Sequence, residues 1–242
     1  MTHAAATVYA EAAARGQPFS GRRLPRAGHI LAVTARPGQE SADLGRLLYV
    51  FRHRGVSLGL LTLTRGEASP LNSTCERLEA IRPWELQVAA GLLGISSLTV
   101  ADYPDGQLNR QPAAELTERV RRAIRQHATD LLLVIDPATA DPDDAAVARA
   151  VCAAADQTGV PALARMPRAA RSGWQVDLGT DAAAARAVQR AALAAHASQA
   201  RARPRAQRRI DRQDDREQLC WLVPPRRMSA SGEDRAAHLL SI

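Results

Sequence analysis

Lysine is absent from this 242-residue chain, and several signals that would narrow its class are missing as well. No run approaches the roughly 18 apolar residues that a bilayer-spanning helix needs, so we expect no membrane segment. Cys75, Cys152 and Cys220 show neither CxxC spacing nor histidine neighbours. That pattern indicates neither a disulfide framework nor a cysteine zinc site. Together these absences predict a soluble, cytoplasmic protein.

The composition is that of an ordinary globular chain. Hydrophobic residues make up 46% and charged residues 24% of the sequence, which fits one domain large enough to bury a core. The net charge of +7 comes from 32 arginines and is partly concentrated in Arg201 to Arg212. Such a run can bind phosphates. Aromatic residues are only 3% of the chain and none lies in this run to stack on bases, so we favour a solvated arginine-rich loop over a nucleic-acid site.

The sequence divides into three parts. Residues 1–27 carry glycines and prolines among arginines without apolar periodicity, which predicts a poorly ordered leader and a fold that begins near His29. Residues 28–223 form the predicted domain, with the arginine-rich segment 201–212 inside it. Residues 224–242 form a tail.

Apolar runs alternate with amphipathic stretches along the predicted domain. This alternation predicts an α/β fold, a Rossmann-like three-layer sandwich with a mostly parallel central sheet. Ligands bind in such folds at the loops that follow the carboxyl ends of the strands. The predicted strands are Ile30–Val33, Val56–Leu63, Leu98–Ala101, Leu131–Ile135 and Val160–Ala164, and the predicted helices are Ala42–Arg54, Arg82–Gly94, Ala114–His127 and Ala145–Gln157.

Short motifs follow these strands in a fixed order. The loop after the first strand reads ARPGQE over residues 35–40, with Gly45 five residues on, and the second strand ends in TRGE over residues 64–67. YPDG follows at 103–106, DPDD at 141–144 and HASQ at 196–199. This ordered set resembles the LmbE-like, or PIG-L, family of zinc-dependent N-acetylglucosaminyl deacetylases, whose members carry AHPDDE in the first loop and HPDH in the fourth.

The resemblance implies a zinc hydrolase, but the sequence departs from the family where the reaction is carried. The family's zinc-ligand positions hold Arg36, Gln39 and Asp144, the general-base position holds Gly38, and Asp141 stands where a histidine steadies the oxyanion. A guanidinium is always charged and presents only donors, so it repels a cation. We therefore expect no intact catalytic group, no bound zinc and no other cofactor.

At the positions where the family contacts its substrate, this sequence matches the family more closely. Arg82 and Asp105 match family positions that hydrogen-bond sugar hydroxyls, and Glu67 matches the rim of the same cleft. The residues alone also allow an Arg82–Glu85 pair on one helix and a turn-closing role for Asp105. The candidate ligand-binding residues are Arg36, Glu40, Glu67, Arg82, Asp105 and Asp144.

Three functions stay open at this point. The first is a catalytically inactive homologue that binds a sugar-like ligand or a partner protein through the old cleft. The second is an active hydrolase that removes N-acetyl groups with an atypical metal site from Asp141, Asp143, Asp144 and Glu40, where carboxylates suit magnesium or calcium better than zinc. The third is binding of nucleic acid or an acidic partner through Arg201 to Arg212.

Charge balance gives a last expectation. A cluster of acids that has lost a dication is left with like charges close together, and buried charges persist only when paired. We expect the Arg36 guanidinium to take the space of the metal and to pair with Asp144, with Asp141 and Glu40 as further candidates.

Overall fold

A computed structural model describes residues 23–68, 77–138, 141–167, 173–199, 203–211 and 214–225. The strands are β1 (His29–Thr34), β2 (Ser57–Thr64), β3 (Ser97–Tyr103), β4 (Leu131–Ile135), β5 (Ala162–Met166), β6 (Trp174–Asp177) and β7 (Arg216–Val223). The helices are α1 (Gly45–His53), which continues a π-helical turn over Glu40–Leu44, α2 (Leu78–Leu93), α3 (Ala113–Gln126), α4 (Pro142–Thr158), α5 (Ala182–Ala195) and α6 (Arg203–Asp211). Short 3₁₀ turns cover Leu108–Arg110, Gly179–Asp181 and Ala197–Gln199.

The described strands form one sheet in the order β3-β2-β1-β4-β5-β7-β6. The first five run parallel to one another, and β7 runs antiparallel to both β5 and β6. The predicted α/β class with a mostly parallel sheet is therefore confirmed. No helix in the described ranges is long and apolar enough to cross a membrane.

The core has two halves, one on each face of the sheet. In β1, Leu31 and Val33 pack with α3 and α4, whereas Ile30 and Ala32 pack with α1, α2 and α5. Successive strand residues point to opposite faces, so a strand covered by helices on both faces is apolar at consecutive positions, as β1 is from Ile30 to Val33. Helices cover both faces of the sheet, so the predicted three-layer arrangement is confirmed.

Three local predictions need correction. Leu24 is 7% exposed and belongs to the half of the core that contains α1. Ordered packing therefore begins before His29, inside the predicted leader. The segment predicted as an arginine-rich loop contains the helix α6. Helix α4 begins at Pro142 rather than Ala145, because Asp141 caps it by accepting the Asp143 N–H and proline is well suited to a first helical turn.

Candidate ligand-binding cleft

Arg36 lies directly after β1, at the carboxyl edge of the parallel sheet. Its Nε donates to Asp105 Oδ1 at 3.0 Å, its Nη1 donates to Asp141, and its Nη2 lies 3.2 Å from Asp143 Oδ2. The side chain of Arg36 is 23% exposed, whereas those of Asp105 and Asp143 are 3% and 1% exposed. One guanidinium therefore joins three carboxylates, one from the loop after β3 and two from the N-terminal end of α4.

The charge of Arg36 is held in place by these acids. Burial by itself lowers the pKa of the guanidinium, but the hydrogen bond to Asp141 and the charges of Asp105, Asp141 and Asp144 outweigh burial. The net effect raises the pKa of Arg36 above its ordinary value. The group is a permanent cation in this cleft.

The expected pairing of Arg36 is partly wrong. Asp141 is a partner, as predicted, but Asp144 Oδ1 accepts from Gln39 Nε2 at 2.6 Å and acts on Arg36 only through its charge. Residues adjacent on a helix point about 100° apart, so Asp143 meets Arg36 while Asp144 meets Gln39. Glu40, the other candidate, lies in a separate buried cluster.

The aspartates of this site also tie the loops together. Asp105 accepts from Thr64 Oγ1 at 3.2 Å and from the Ala68 N–H at 3.1 Å. Its own N–H donates to Glu67 Oε1 at 2.8 Å, so the side chain predicted at the rim positions the loop that carries Asp105. Asp105 thus does more than close a turn.

Asp143 connects the same loop to the start of α4. Its two oxygens accept the N–H groups of Gly106 at 2.8 Å and of Leu108 at 2.9 Å. Together with Asp105, it fixes the wall of the cleft against Arg36.

Arg82 reaches the cleft from α2 and is 3% exposed. Its Nη2 donates to the Pro37 carbonyl at 2.6 Å and its Nη1 to the Gly66 carbonyl, so it holds the first two loops together. Burial lowers the pKa of Arg82, and the charges of nearby acids offset only part of that effect. Arg82 Nε has no hydrogen-bond partner among the described residues.

The alternative Arg82–Glu85 hydrogen bond is not formed. Both oxygens of Glu85 accept from Ser198, one from its N–H and one from its Oγ, each at 2.6 Å. Ser198 therefore anchors the segment after α5 to α2.

A buried pair of Glu40 and His196 completes the floor of the cleft. His196 Nε2 lies 2.7 Å from Glu40 Oε1, Ser41 Oγ donates to the same oxygen at 2.6 Å, and the Gly38 N–H donates to Oε2 at 2.8 Å. Burial raises the pKa of Glu40. The charge and hydrogen bond of His196, together with the donors Ser41 and Gly38, outweigh burial and hold the pKa of Glu40 below its ordinary value. Sequence reasoning missed this role of His196, although the HASQ motif was the signal that could have found it.

A cavity of about 180 Å³ opens between these groups. Residues 36–39 form one wall, Arg82 forms another, and His196 and Gln199 close the far side with Leu193 and Ala206. Among the predicted ligand-binding residues only Arg36 and Arg82 line this cavity, whereas Glu67, Asp105, Asp144 and Glu40 support its walls. Most of the lining surface is apolar, and the polar groups of Arg36, Arg82 and Gln199 are set into it.

The residues that the sequence resemblance assigns to the family's metal positions, Arg36, Gln39 and Asp144, do not fit zinc. The guanidinium of Arg36 lies among the carboxylates that a cation would need. Gln39 Oε1 accepts the N–H groups of Ala35 and Arg36, and its Nε2 donates to Asp144, so both lone pairs of the amide oxygen are already used. In the part of the chain that the structure describes, no three His, Cys, Asp or Glu side chains are grouped to hold a metal ion.

Comparisons with known proteins agree with this architecture. The model of the family described as GlcNAc-PI de-N-acetylase (PIG-L) matches residues 31–155, more than half of the chain. The probable N-acetyl-alpha-D-glucosaminyl L-malate deacetylase 2 of Bacillus anthracis is 31% identical over 132 residues. That match covers 52% of this chain and 58% of the relative, so the chain spans little more than half the length of that protein.

Two solved deacetylases share the fold at low sequence identity. The N,N'-diacetylchitobiose deacetylase of Pyrococcus horikoshii has a TM-score of 0.61 and 19% identity, with 72% of this chain and 71% of that chain covered. The A40926 pseudoaglycone deacetylase Dbv21 has a TM-score of 0.62 and 19% identity, with 84% and 99% covered. At such identities the likeness concerns the fold alone. The family match, together with the loop motifs in their order along the chain, shows that the chain belongs to the PIG-L family.

Proposed function

We propose that this chain is a non-catalytic PIG-L protein whose cleft binds a small sugar-like ligand without hydrolysing it. One observation carries the proposal: the Arg36 guanidinium is bonded to Asp105, Asp141 and Asp143, and the resemblance of the first loop to the family motif puts a zinc ligand at position 36. A zinc ion polarises a carbonyl and lowers the pKa of a bound water. A guanidinium has no vacant coordination position and cannot generate that nucleophile.

The general base is missing as well. Gly38, at the family's base position, has no side chain, and the nearest carboxylate in sequence, Glu40, is directed into the buried pair with His196. A carboxylate that accepts three hydrogen bonds and is fully buried has no free lone pair directed at solvent. Neither Gly38 nor Glu40 can therefore take a proton from a water in the cavity.

The ligand class follows from the cavity. Its volume of about 180 Å³ lies below the range of roughly 300–1,000 Å³ typical of drug-sized ligands, which favours a group the size of one sugar ring. Two guanidiniums and the Gln199 amide supply donors for hydroxyl oxygens. The B. anthracis relative is named for a glucosaminyl substrate, which supports the same class. A partner protein that inserts a polar side chain is the remaining occupant of this site.

The two alternative functions have less support. An atypical metal site would require Asp141 and Asp143 to release Arg36, and Asp144 to release Gln39. Nucleic-acid binding through Arg201 to Arg212 stays a prediction, and Arg190 pairs with Asp211 at the end of that segment.

The experiment measures catalysis and binding on the same preparation. We expect no acetate release from N-acetylglucosamine or its glycosides above the buffer rate, with the B. anthracis enzyme as positive control. Isothermal titration with the same sugars should show binding that Gln199→Ala weakens at least several-fold, whereas Arg65→Met, outside the cavity, leaves it unchanged. Acetate release that a chelator abolishes would overturn the loss of catalysis, and no binding of any sugar would overturn the ligand class.

A further inference from the structure

The two edges of the described sheet differ in how they are protected. Strand β6 has four residues, and its exposed side chains are the polar Gln175 and the charged Asp177. Strand β3 has seven residues and is half-buried along most of its length. Short strands and charged side chains block the pairing of an edge with another chain. The β6 edge carries such protection, whereas the β3 edge has little.

The second half of α2, the helix next to the β3 edge, also presents an uncharged and partly apolar surface. Residues 86–101, from the middle of α2 into β3, contain no charged side chain, in a chain with 24% charged residues. On α2 itself, Trp84, Val88 and Leu92 are 67%, 41% and 48% exposed and recur every four residues. An exposed apolar stripe of this kind marks an interaction surface.

The register shows which backbone groups of β3 are open. The Ser57 N–H donates to the Gly28 carbonyl at the start of β1, so by alternation Leu60 directs its N–H and C=O toward β3. Leu60 is registered with Leu98, and a residue in a parallel ladder bonds to the two neighbours of its partner. Residues 97 and 99 therefore face β2. Leu98 and Val100 direct their backbone groups outward.

We propose that a second copy of this chain pairs with β3 in antiparallel orientation, about a two-fold axis at Thr99. Leu98 then bonds to Val100 of the second copy and Val100 to its Leu98, which supplies the open N–H and C=O groups with partners. An antiparallel edge is self-complementary, as a two-fold interface requires. The pairing joins two sheets into one.

Side chains and charge favour the same occupant. Leu98 and Val100 pack on the core half that contains α2. Because the axis is perpendicular to the sheet, both copies of α2, with their exposed apolar side chains, lie on the same face around the seam. Two copies of the chain, each with a net charge of +7, repel each other. At the stretch 86–101 the two copies can approach without bringing charged residues of this stretch face to face. The stretch 86–101 itself offers an acidic partner no positive side chain, and the arginine nearest to it, Arg52, lies against Gly94 at its middle.

The test uses the full chain in analytical ultracentrifugation. Wild type should sediment with twice the 26.0 kDa mass of one chain. Val100→Pro should sediment as a monomer with an unchanged circular dichroism spectrum, because proline removes an outward N–H and no bond to β2. Val100→Ala loses similar packing but keeps the N–H, so it should remain dimeric.

Hydrogen exchange gives a readout that does not depend on the variant folding. In wild type, the amides of Leu98 and Val100 should exchange at least tenfold faster when the protein is diluted below its dimer dissociation constant. A monomeric wild type would overturn the proposal, whether the face is left open or is covered by residues 1–22 or 226–242. A folded Val100→Pro variant that stays dimeric, or exchange at these amides that ignores dilution, would overturn it too.

Discussion

Replacing Arg36 by methionine should destabilise the protein by about 2–3 kcal/mol, because it removes the one cation that joins three aspartates. Methionine keeps the length of the side chain and most of its apolar contact. The loss therefore reports the charge and the hydrogen bonds, and not a cavity.

The magnitude follows from the exposure of each partner. Leaving a buried carboxylate without its cation costs roughly 3–5 kcal/mol, whereas an exposed pair contributes about 0–1 kcal/mol. Asp105 and Asp143 are almost fully buried, but Arg36 and Asp141 are 23% and 30% exposed. Each buried aspartate also keeps two other donors. The expected loss thus lies between the two limits.

The assay is urea unfolding at pH 7, followed by circular dichroism, with the slope of the free energy checked for constancy. Arg65→Met is the matched control, since Arg65 pairs with Asp102 at 45% and 74% exposure. It should change the free energy of unfolding by less than about 1 kcal/mol. A loss for Arg36→Met no larger than that of the control would refute the reasoning, because the cluster would then be solvated.

Three further predictions concern other parts of the site. The pKa of Glu40 is lowered in the fold, so the contribution of its carboxylate to the free energy of unfolding is complete above the ordinary pKa of 4.5 and is lost as pH falls through the lower folded value. The difference in unfolding free energy between wild type and Glu40→Gln should therefore shrink below about pH 4.5. A constant difference down to pH 2.5 would contradict the assignment. Ser198→Ala removes a hydrogen bond to the buried Glu85 carboxylate and should lower the free energy of unfolding in urea by about 1.5–3 kcal/mol. An unchanged free energy of unfolding would contradict the anchoring role of Ser198. The proposed loss of the metal site predicts that EDTA leaves the melting temperature unchanged, because no metal would then be linked to folding. A drop of several degrees that zinc reverses would contradict that proposal.

The parallel part of the fold could be predicted because its signals are local. Continuous apolar runs predict β1 and β4 within a residue, since strands covered on both faces need apolar residues at every position. The helix over Leu78–Leu93 was predicted to begin only at Arg82, because Pro83 stands inside it and its apolar pattern is clear only after that residue. The alanine-rich α5 has only Val188 and Leu193 as large apolar residues, so its sequence shows no repeated apolar spacing that would predict a helix.

The candidate site was predictable only in outline. Charge balance placed Arg36 among acids, and the structure brings it to Asp141 as expected. Which of the adjacent residues Asp143 and Asp144 it meets depends on the rotation of α4, which the spacing of residues does not fix. The Glu40–His196 pair joins residues 156 positions apart. Such a pair depends on the packing of α5 against the first loop, and the HASQ motif alone does not show which residue His196 meets.

The central claim is that a guanidinium stands where the family's chemistry needs zinc, and zinc stoichiometry tests it most directly. The full chain, purified without chelator and dialysed against zinc, is analysed by inductively coupled plasma mass spectrometry beside the variant with Arg36→His, Gly38→Asp, Gln39→Asp and Asp144→His. The account predicts well under one zinc per wild-type chain and a gain of zinc in the fourfold variant, because a cation needs most of its ligands together. One zinc per wild-type chain that Gln39→Ala or Asp144→Ala removes would contradict it.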